Sequence, residues 1–387
     1  MPETIDPRST AYGAFLSDPA FPSDGTIPDQ WNMIQPRGGV AWDILGAGKY
    51  LVRASAGVYS ARQNMLSQVG SVTTNGVQQQ TLFVSTELVN AFGAATPAWP
   101  GLLNVPAVPA GQFPLFSGVR VFHKDYENPR IYSFNLAYEH ELVTDFAGYV
   151  DFTWNEGRRL TRFLNYNRSG PSCCELGPGT GNTYVYSGSP WGPQLGEVMV
   201  ANSLGESKYR GVTLGIRKRF SHGYQFEANY VLSKDEDNDS NERDPFTDRS
   251  FNFFNLDLDW GPSDRDIRHR VNAFGSFTIP GGVQLNTRVQ GRTAQPITAR
   301  PRSLNGQDRG RNGERKDNAF FSVDWRLARP FRFGGAQVIP VIEMFNTFNN
   351  DNNINPLSAP ALFNFDGFLR TGVGDPRQVQ LAVKVTF

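Results

Sequence analysis

No run of apolar residues in this 387-residue chain approaches the roughly 18 needed to cross a bilayer as a helix, and mean hydropathy is −0.41. A helical membrane protein is therefore excluded. Helical periodicity is nearly absent throughout. Neither sign of charge dominates, with 37 basic against 37 acidic residues, so no nucleic-acid partner is implied. Cysteine is scarce. Cys173 and Cys174 are adjacent in a Gly/Pro-rich stretch and cannot make a metal site alone; two free thiols in a loop are expected, a vicinal disulfide being the alternative. The four histidines, His123, His140, His222 and His269, lack the clustered spacing of a ligand set. Gly177–Gly181 has no following Lys or helix, so it is no phosphate loop. No nucleophile, base and orienting acid fall in a recognisable arrangement, and the chain reads as neither an enzyme nor a cofactor protein. Residues 1–20 show no charged segment followed by an apolar one, hence no secretory signal.

What is abundant is two-residue alternation. Val379, Leu381, Val383, Val385 and Phe387 alternate with Gln380, Ala382, Lys384 and Thr386 up to the last residue. Side chains alternate across a strand, so one face here is apolar and the other wet. The pattern recurs at Tyr132–Tyr138, Phe146–Trp154, Val212–Ile216, Tyr224–Leu232, Val271–Ile279, Val283–Val289 and Phe321–Leu327, and near the start at Val40–Trp42 and Tyr50–Val58. Val338–Phe345 is apolar on both faces and fits less cleanly. About eleven strands result, each long enough for a tilted crossing.

Connections decide between a sandwich and a barrel. They alternate strictly, with short turns at 45–48, 142–145, 221–223, 280–282 and 331–335 and long loops near 61–128, 159–207, 235–263, 293–317 and 347–375. An up-and-down chain through a membrane has this asymmetry, and a Greek-key sandwich has no reason for it. Trp42, Trp154, Tyr230 and Trp325 suit an aromatic girdle. The expected fold is all-β, an antiparallel meander transmembrane β-barrel of about eleven strands. With the short turns periplasmic, the chain ends on the periplasmic side.

Several segments then resemble a known family. Pro36–Trp42 with Arg53–Tyr59, Asn128–Leu142, Tyr209–Tyr224, Gly261–Arg270, Glu343–Asn349 and Gly374–Leu381 resemble, in order and spacing, the C-terminal part of a TonB-dependent receptor of the large Oar-like type. The resemblance covers nearly the whole chain. It implies a 22-stranded barrel around an N-terminal plug, in the outer membrane of a Gram-negative cell, importing a scarce ligand of siderophore, oligosaccharide or peptide class. Its implied partners are outer-membrane lipid, the TonB complex acting through the plug, and the barrel assembly machinery. No plug and no TonB-contacting segment precede the strands, so residues 1–387 are expected to be one domain, the C-terminal half of such a barrel. The resemblance also makes Val379, Leu381, Val383, Val385 and Phe387 an assembly signal, with Val385 standing where an aromatic is common.

Alternation sends a set of charges into the lumen: Arg37, Arg53, Arg217, Arg219, Arg268, Arg270, Arg288, Arg292, Arg326 and Lys384, with Asp43, Glu139, Glu141, Asp151, Glu227 and Asp324. Arg217, Glu227, Arg268, Arg270, Arg288, Arg292, Asp324 and Arg326 are the candidates for lining a ligand path. Asp235–Asp244 has the alternate acids of a calcium loop but lacks its glycine and its twelfth-position Glu, and is expected to be a solvated loop. An active importer, a passive porin-like channel and an adhesion- or secretion-linked barrel are the three functional readings.

Overall fold

An extended chain with two dissimilar faces is stable only where neighbours satisfy its backbone, and here one large antiparallel sheet does so. The computed structural model describes residues 6–63, 65–75, 118–169, 188–192, 195–240, 248–298, 303–304, 307–308, 310–315, 318–352 and 375–387. Its strands begin with β1 (Arg37–Asp43), β2 (Tyr50–Ser60), β3 (Val119–Phe122), β4 (Arg130–Val143), β5 (Phe146–Asn165), β6 (Val198–Ser221) and β7 (Tyr224–Asp237). Then come β8 (Gly261–Pro262), β9 (His269–Ile279), β10 (Val283–Arg292), β11 (Pro296–Ile297), β12 (Ser303–Leu304), β13 (Gln307–Asp308) and β14 (Glu314–Arg315). The last are β15 (Phe320–Ala328), β16 (Phe331–Phe333), β17 (Ala336–Phe345) and β18 (Gln378–Thr386). An α-helix, α1 (Met65–Thr73), lies between β2 and β3.

Eleven strands form a meander in the order β1-β2-β4-β5-β6-β7-β9-β10-β15-β17-β18, each antiparallel to the next. Among the described residues β1 pairs only with β2 and β18 only with β17, so the sheet is an open, partial barrel. β15 and β16 are one strand with a gap. Ala328 lies opposite Val341 and Phe331 opposite Val338, which is a single register. The gap falls at Pro330, beside Pro340 on β17, two residues with no N–H for the ladder.

The short turns are tighter than expected. Leu142 and Val143 belong to β4, and Phe331–Phe333 is β16, leaving only Thr144–Asp145 and Gly334–Gly335 as turns. At the β6–β7 turn His222 (φ 53°) and Gly223 (φ 82°) both adopt the left-handed conformation that a two-residue hairpin of matching twist requires. The long connections all fall at the other end.

Facing follows from register, because residues directly opposite in a ladder share a face. Val40, Ala54, Leu136, Phe152 and Val212 are opposite one another in turn across β1, β2, β4, β5 and β6. Val289 joins Ala273 to Val323, and Leu327 joins Leu285 to Ile342, which faces Leu381. Every alternation expected from the sequence therefore lands on one continuous apolar face. Phe134, Trp154, Leu214, Phe226, Trp325 and Val383 lie on it too. Val338–Phe345 is resolved as well: Val338, Ile342 and Met344 join the apolar face, and Val341 and Glu343 the polar one.

Two expectations are corrected. Trp154, Tyr230 and Trp325 sit mid-strand, opposite Phe134, Leu214 and Thr287 respectively, and so are no girdle residues, whereas Trp42 stands next to the end of β1. The aromatic band at the short-turn end is built instead by Tyr224, Phe226, Phe277 and Phe146, whose ring centroids lie 6.0–6.4 Å apart, and by Tyr50 on His140 at 4.4 Å. Second, the connection expected at 159–207 begins and ends in strand, with β5 continuing to Asn165 and β6 starting at Val198. β5 runs 20 residues and β6 24, well past the 9–11 of a crossing. Above Ser207 β6 loses β7 as its neighbour, and β3 takes that edge in parallel, Val119 opposite Val198. Residues 6–27, β3, 188–192 and 195–201 form an apolar cap there, with Tyr12, Phe21, Val119, Val121, Trp191, Leu195, Val198 and Val200 in its core. A second buried cluster joins Phe122, Tyr126, Phe163, Met199 and Ala201.

Candidate functional site

The polar face carries rows of side chains across the strands. Glu139, on β4, links several of them. It accepts from Arg217 Nη2 at 2.6 Å, two strands away, and from Arg53 at 3.4 Å. The Tyr149 hydroxyl donates to Glu227 at 3.5 Å, again across an intervening strand. The ring has room because Gly215 lies under it; a Cβ there would stand 2.1 Å from the Tyr149 ring. Asn135 Nδ2 donates to Asp151 at 2.7 Å. Arg326 approaches Glu343 at 3.4 Å.

The eight candidates divide. Arg217, Glu227, Arg270, Arg288, Arg292, Asp324 and Arg326 share the polar face by register. Asp324 is opposite Arg288, yet its Oδ1 accepts from the Asn346 N–H at 2.9 Å and the Ser322 hydroxyl at 2.7 Å. Arg268 does not line the wall. It precedes β9 and pairs with Asp266 at 3.0 Å, so its charge is spent in the rim. Arg219 falls in the register shift beyond Lys218, where its N–H bonds to Asp145. Alternation also put Tyr149 and Gln290 on this face, and it missed Asn272, whose parity with Arg270 was the signal, and Glu343, which lies on a strand whose faces are both largely apolar.

Above the wall is a rim of buried ion pairs that no spacing in the sequence announced. Arg162 and Asp259, each 1% exposed, form a pair, with Asp239 at 3.9 Å. Arg311 donates from Nη2 to the Asp237 carboxylate and carbonyl, from Nη1 to Ser240 at 3.0 Å and from Nε to the Asp259 carbonyl at 2.8 Å. Arg315 donates to Asp266 at 2.5 Å, and Asn312 Nδ2 to Asp264 at 2.6 Å. The loops after β7 and β10 are thus locked together. This corrects the picture of a solvated acidic loop: Asp237 is 2% exposed and neutralised by Arg311. Among the described residues no three acids, histidines or cysteines are grouped to hold a metal. Cys173, Cys174 and Gly177–Gly181 lie outside the described residues, as does the 241–247 part of the acidic segment.

A sheet with one apolar and one charged face suits an aqueous wall set in lipid; among the described residues no helix is long and apolar enough to cross a membrane. Residues 3–299 match the family described as "Outer membrane beta barrel domain". The chain belongs to the outer-membrane β-barrel family. The outer membrane transporter YddB from Escherichia coli has a similar fold, with a TM-score of 0.55 at 9% identity over 89% of this chain. This barrel chain spans 39% of the length of YddB. Two further solved structures have lower TM-scores: the FrpB iron transporter from Neisseria meningitidis, with a TM-score of 0.47, 13% identity and coverage of 90% of this chain and 38% of that one, and FpvA of Pseudomonas aeruginosa bound to pyoverdines, at 0.48, 12%, 90% and 32%. No curated protein sequence is detectably similar.

The cap of this barrel carries two groups with displaced titration. Burial pushes the Glu197 carboxyl up, against the pull of Arg168 and Arg120 and with the help of Asp248. Burial pulls His123 down, Asp125 opposing and Lys124 assisting. A raised carboxyl contributes stability that is full below its unfolded pKa and lost as pH rises through the folded one. A lowered histidine contributes stability held above its unfolded pKa and lost as pH falls through the folded one. Glu197→Gln is therefore expected to slow exchange of the Val119 amide, which bonds to the Glu197 carbonyl at 2.8 Å, at neutral pH and not at pH 4. Equal protection of that amide in both proteins at pH 7 would refute the burial argument.

Proposed function

We propose that residues 1–387 are the C-terminal part of a TonB-dependent receptor barrel that imports a scarce ligand across the outer membrane. The observation that carries it is the charged wall beneath a locked rim, on an eleven-stranded sheet whose two edges are open. Open edges in hydrocarbon leave backbone groups unsatisfied, so β1 and β18 take further strands as neighbours. Family membership and the fold shared with YddB support an outer-membrane transporter. The short turns are periplasmic and the long loops, cap and rim extracellular. In this reading the polar wall contacts a plug or lines the ligand path, and TonB acts through that plug.

Val379, Leu381, Val383 and Val385 lie on the apolar face of the edge strand, and Phe387 is 99% exposed. This exposed strand suits recognition by the barrel assembly machinery through strand addition, with ladder bonds giving affinity and alternate side chains specificity. Deleting Phe387 is expected to lower the amount of heat-modifiable protein in outer membranes. Unchanged assembly would remove the signal from this strand.

The import reading is tested by conductance. A plugged importer inserted in a planar bilayer is silent, whereas a porin-like channel conducts steadily. The intact protein extracted from outer membranes is expected to give no steady conductance. Stable open steps would establish the passive channel instead.

A further inference from the structure

Arg270 and Arg292 are directly opposite in the β9–β10 ladder, at the long-loop end of the polar wall. Like charges directly opposite destabilise a sheet, and opposed arginines call for a counter-charge. Among the described residues neither arginine makes an ion pair. The nearest acid along the chain, Asp266, is held by Arg268 at 3.0 Å and Arg315 at 2.5 Å. Arg270 is exposed. The Arg292 guanidinium lies 5.9 Å from the Phe320 ring centroid, and its Nη1 is buried without a hydrogen-bond partner. An orphaned buried donor costs free energy until something accepts from it.

The next polar row towards the short-turn end continues the donors. Gln290 is opposite Asn272, which donates to Asn229 at 3.3 Å. One polar row further on, Arg288 faces an Asp324 already engaged by Asn346 and Ser322. The wall therefore offers a cationic entrance, an amide row and a second cation, descending from the rim.

We propose that the Arg270–Arg292 pair is the entry subsite for an anionic ligand bearing at least two carboxylate or phosphate groups, which the amides and Arg288 receive as it descends. This deepens the import reading and rests on the polar face lining the lumen. Two guanidiniums carried at directly opposite ladder positions suit an oxyanion, because each fork presents paired donors to its oxygens. The ligand thereby belongs to the polyanionic class of solute and not to neutral oligosaccharides.

The test uses the intact protein in detergent micelles, with inorganic pyrophosphate as probe and calorimetry as readout. Wild type is expected to bind pyrophosphate with an affinity that falls as salt rises. Arg270→Gln with Arg292→Gln should weaken binding by roughly tenfold or more. Arg292→Glu should abolish binding while raising the melting temperature, since it converts a repulsive cross-strand pair into an attractive one. Binding unchanged in the double Gln variant would overturn the subsite. So would a wild type that fails to bind while Arg292→Glu destabilises, because the counter-charge would then be another part of the barrel. The measurement needs no energised transport, so a failed import reading shows in the conductance experiment and not here.

Discussion

Asp259→Ala should destabilise the loop rim by about 3–5 kcal/mol, the usual consequence of stranding one member of a buried pair. Arg162 would be left 1% exposed, with Asp239 at 3.9 Å as its remaining acid. Its Nε and Nη1 already lack hydrogen-bond partners, so the guanidinium has nothing in reserve. Asp259 also accepts from the Phe251 N–H at 3.0 Å and ties 248–260 to β5. Urea unfolding followed by Trp191 and Trp260 fluorescence measures the loss, with Asp259→Asn expected to fall between wild type and Ala. A loss under about 1 kcal/mol for Ala would place the pair in effective contact with water.

Leu214→Arg should cost about 2–4 kcal/mol of bilayer stability, because it sets a charge on the apolar face near mid-strand. Leu214 is opposite Val150 and Tyr230, both on that face. The neighbouring Thr213→Arg should be tolerated, since Thr213 is opposite Asp151 on the polar side. One residue along a strand reverses the face, so the pair is a strict test of register. Folding yield into vesicles across a urea series compares them. Equal yields would overturn the facing.

Much of the sheet was legible because alternation is a local signal. Phe134 and Leu136, or Phe226 and Ala228, declare their face within a few residues. β17 was harder, because both of its faces are largely apolar and only its partners show that Ile342 sits with Leu381. The wall was half legible. Parity put Arg217 and Glu227 on one face, where the register also has them, but the same rule carried Arg268 inward, although β9 begins only at His269. The rim was hidden altogether. Arg162 and Asp259 are 97 residues apart, Arg311 and Asp237 74, and Arg315 and Asp266 49. Such pairs arise from the crowding of separate loops at one end, and nothing in either neighbourhood marks them. The cap was read as loop for a related reason: Val198–Asn202 packs against β3 and residues 6–27, and its apolar run has no period of its own.

The length of β5 and β6 has a consequence for the cell. About ten of their residues suffice for the crossing, and at ~3.4 Å per residue with the usual tilt the remainder rises roughly 25 Å clear of the bilayer. The cap is carried on that paired ribbon as on a mast. With the orientation proposed above, an antibody, a phage or a protease approaching the cell would touch the cap first. Substitutions there alter what the outside world recognises and leave every membrane register untouched. The cap and the membrane-spanning wall are thus free to diverge independently.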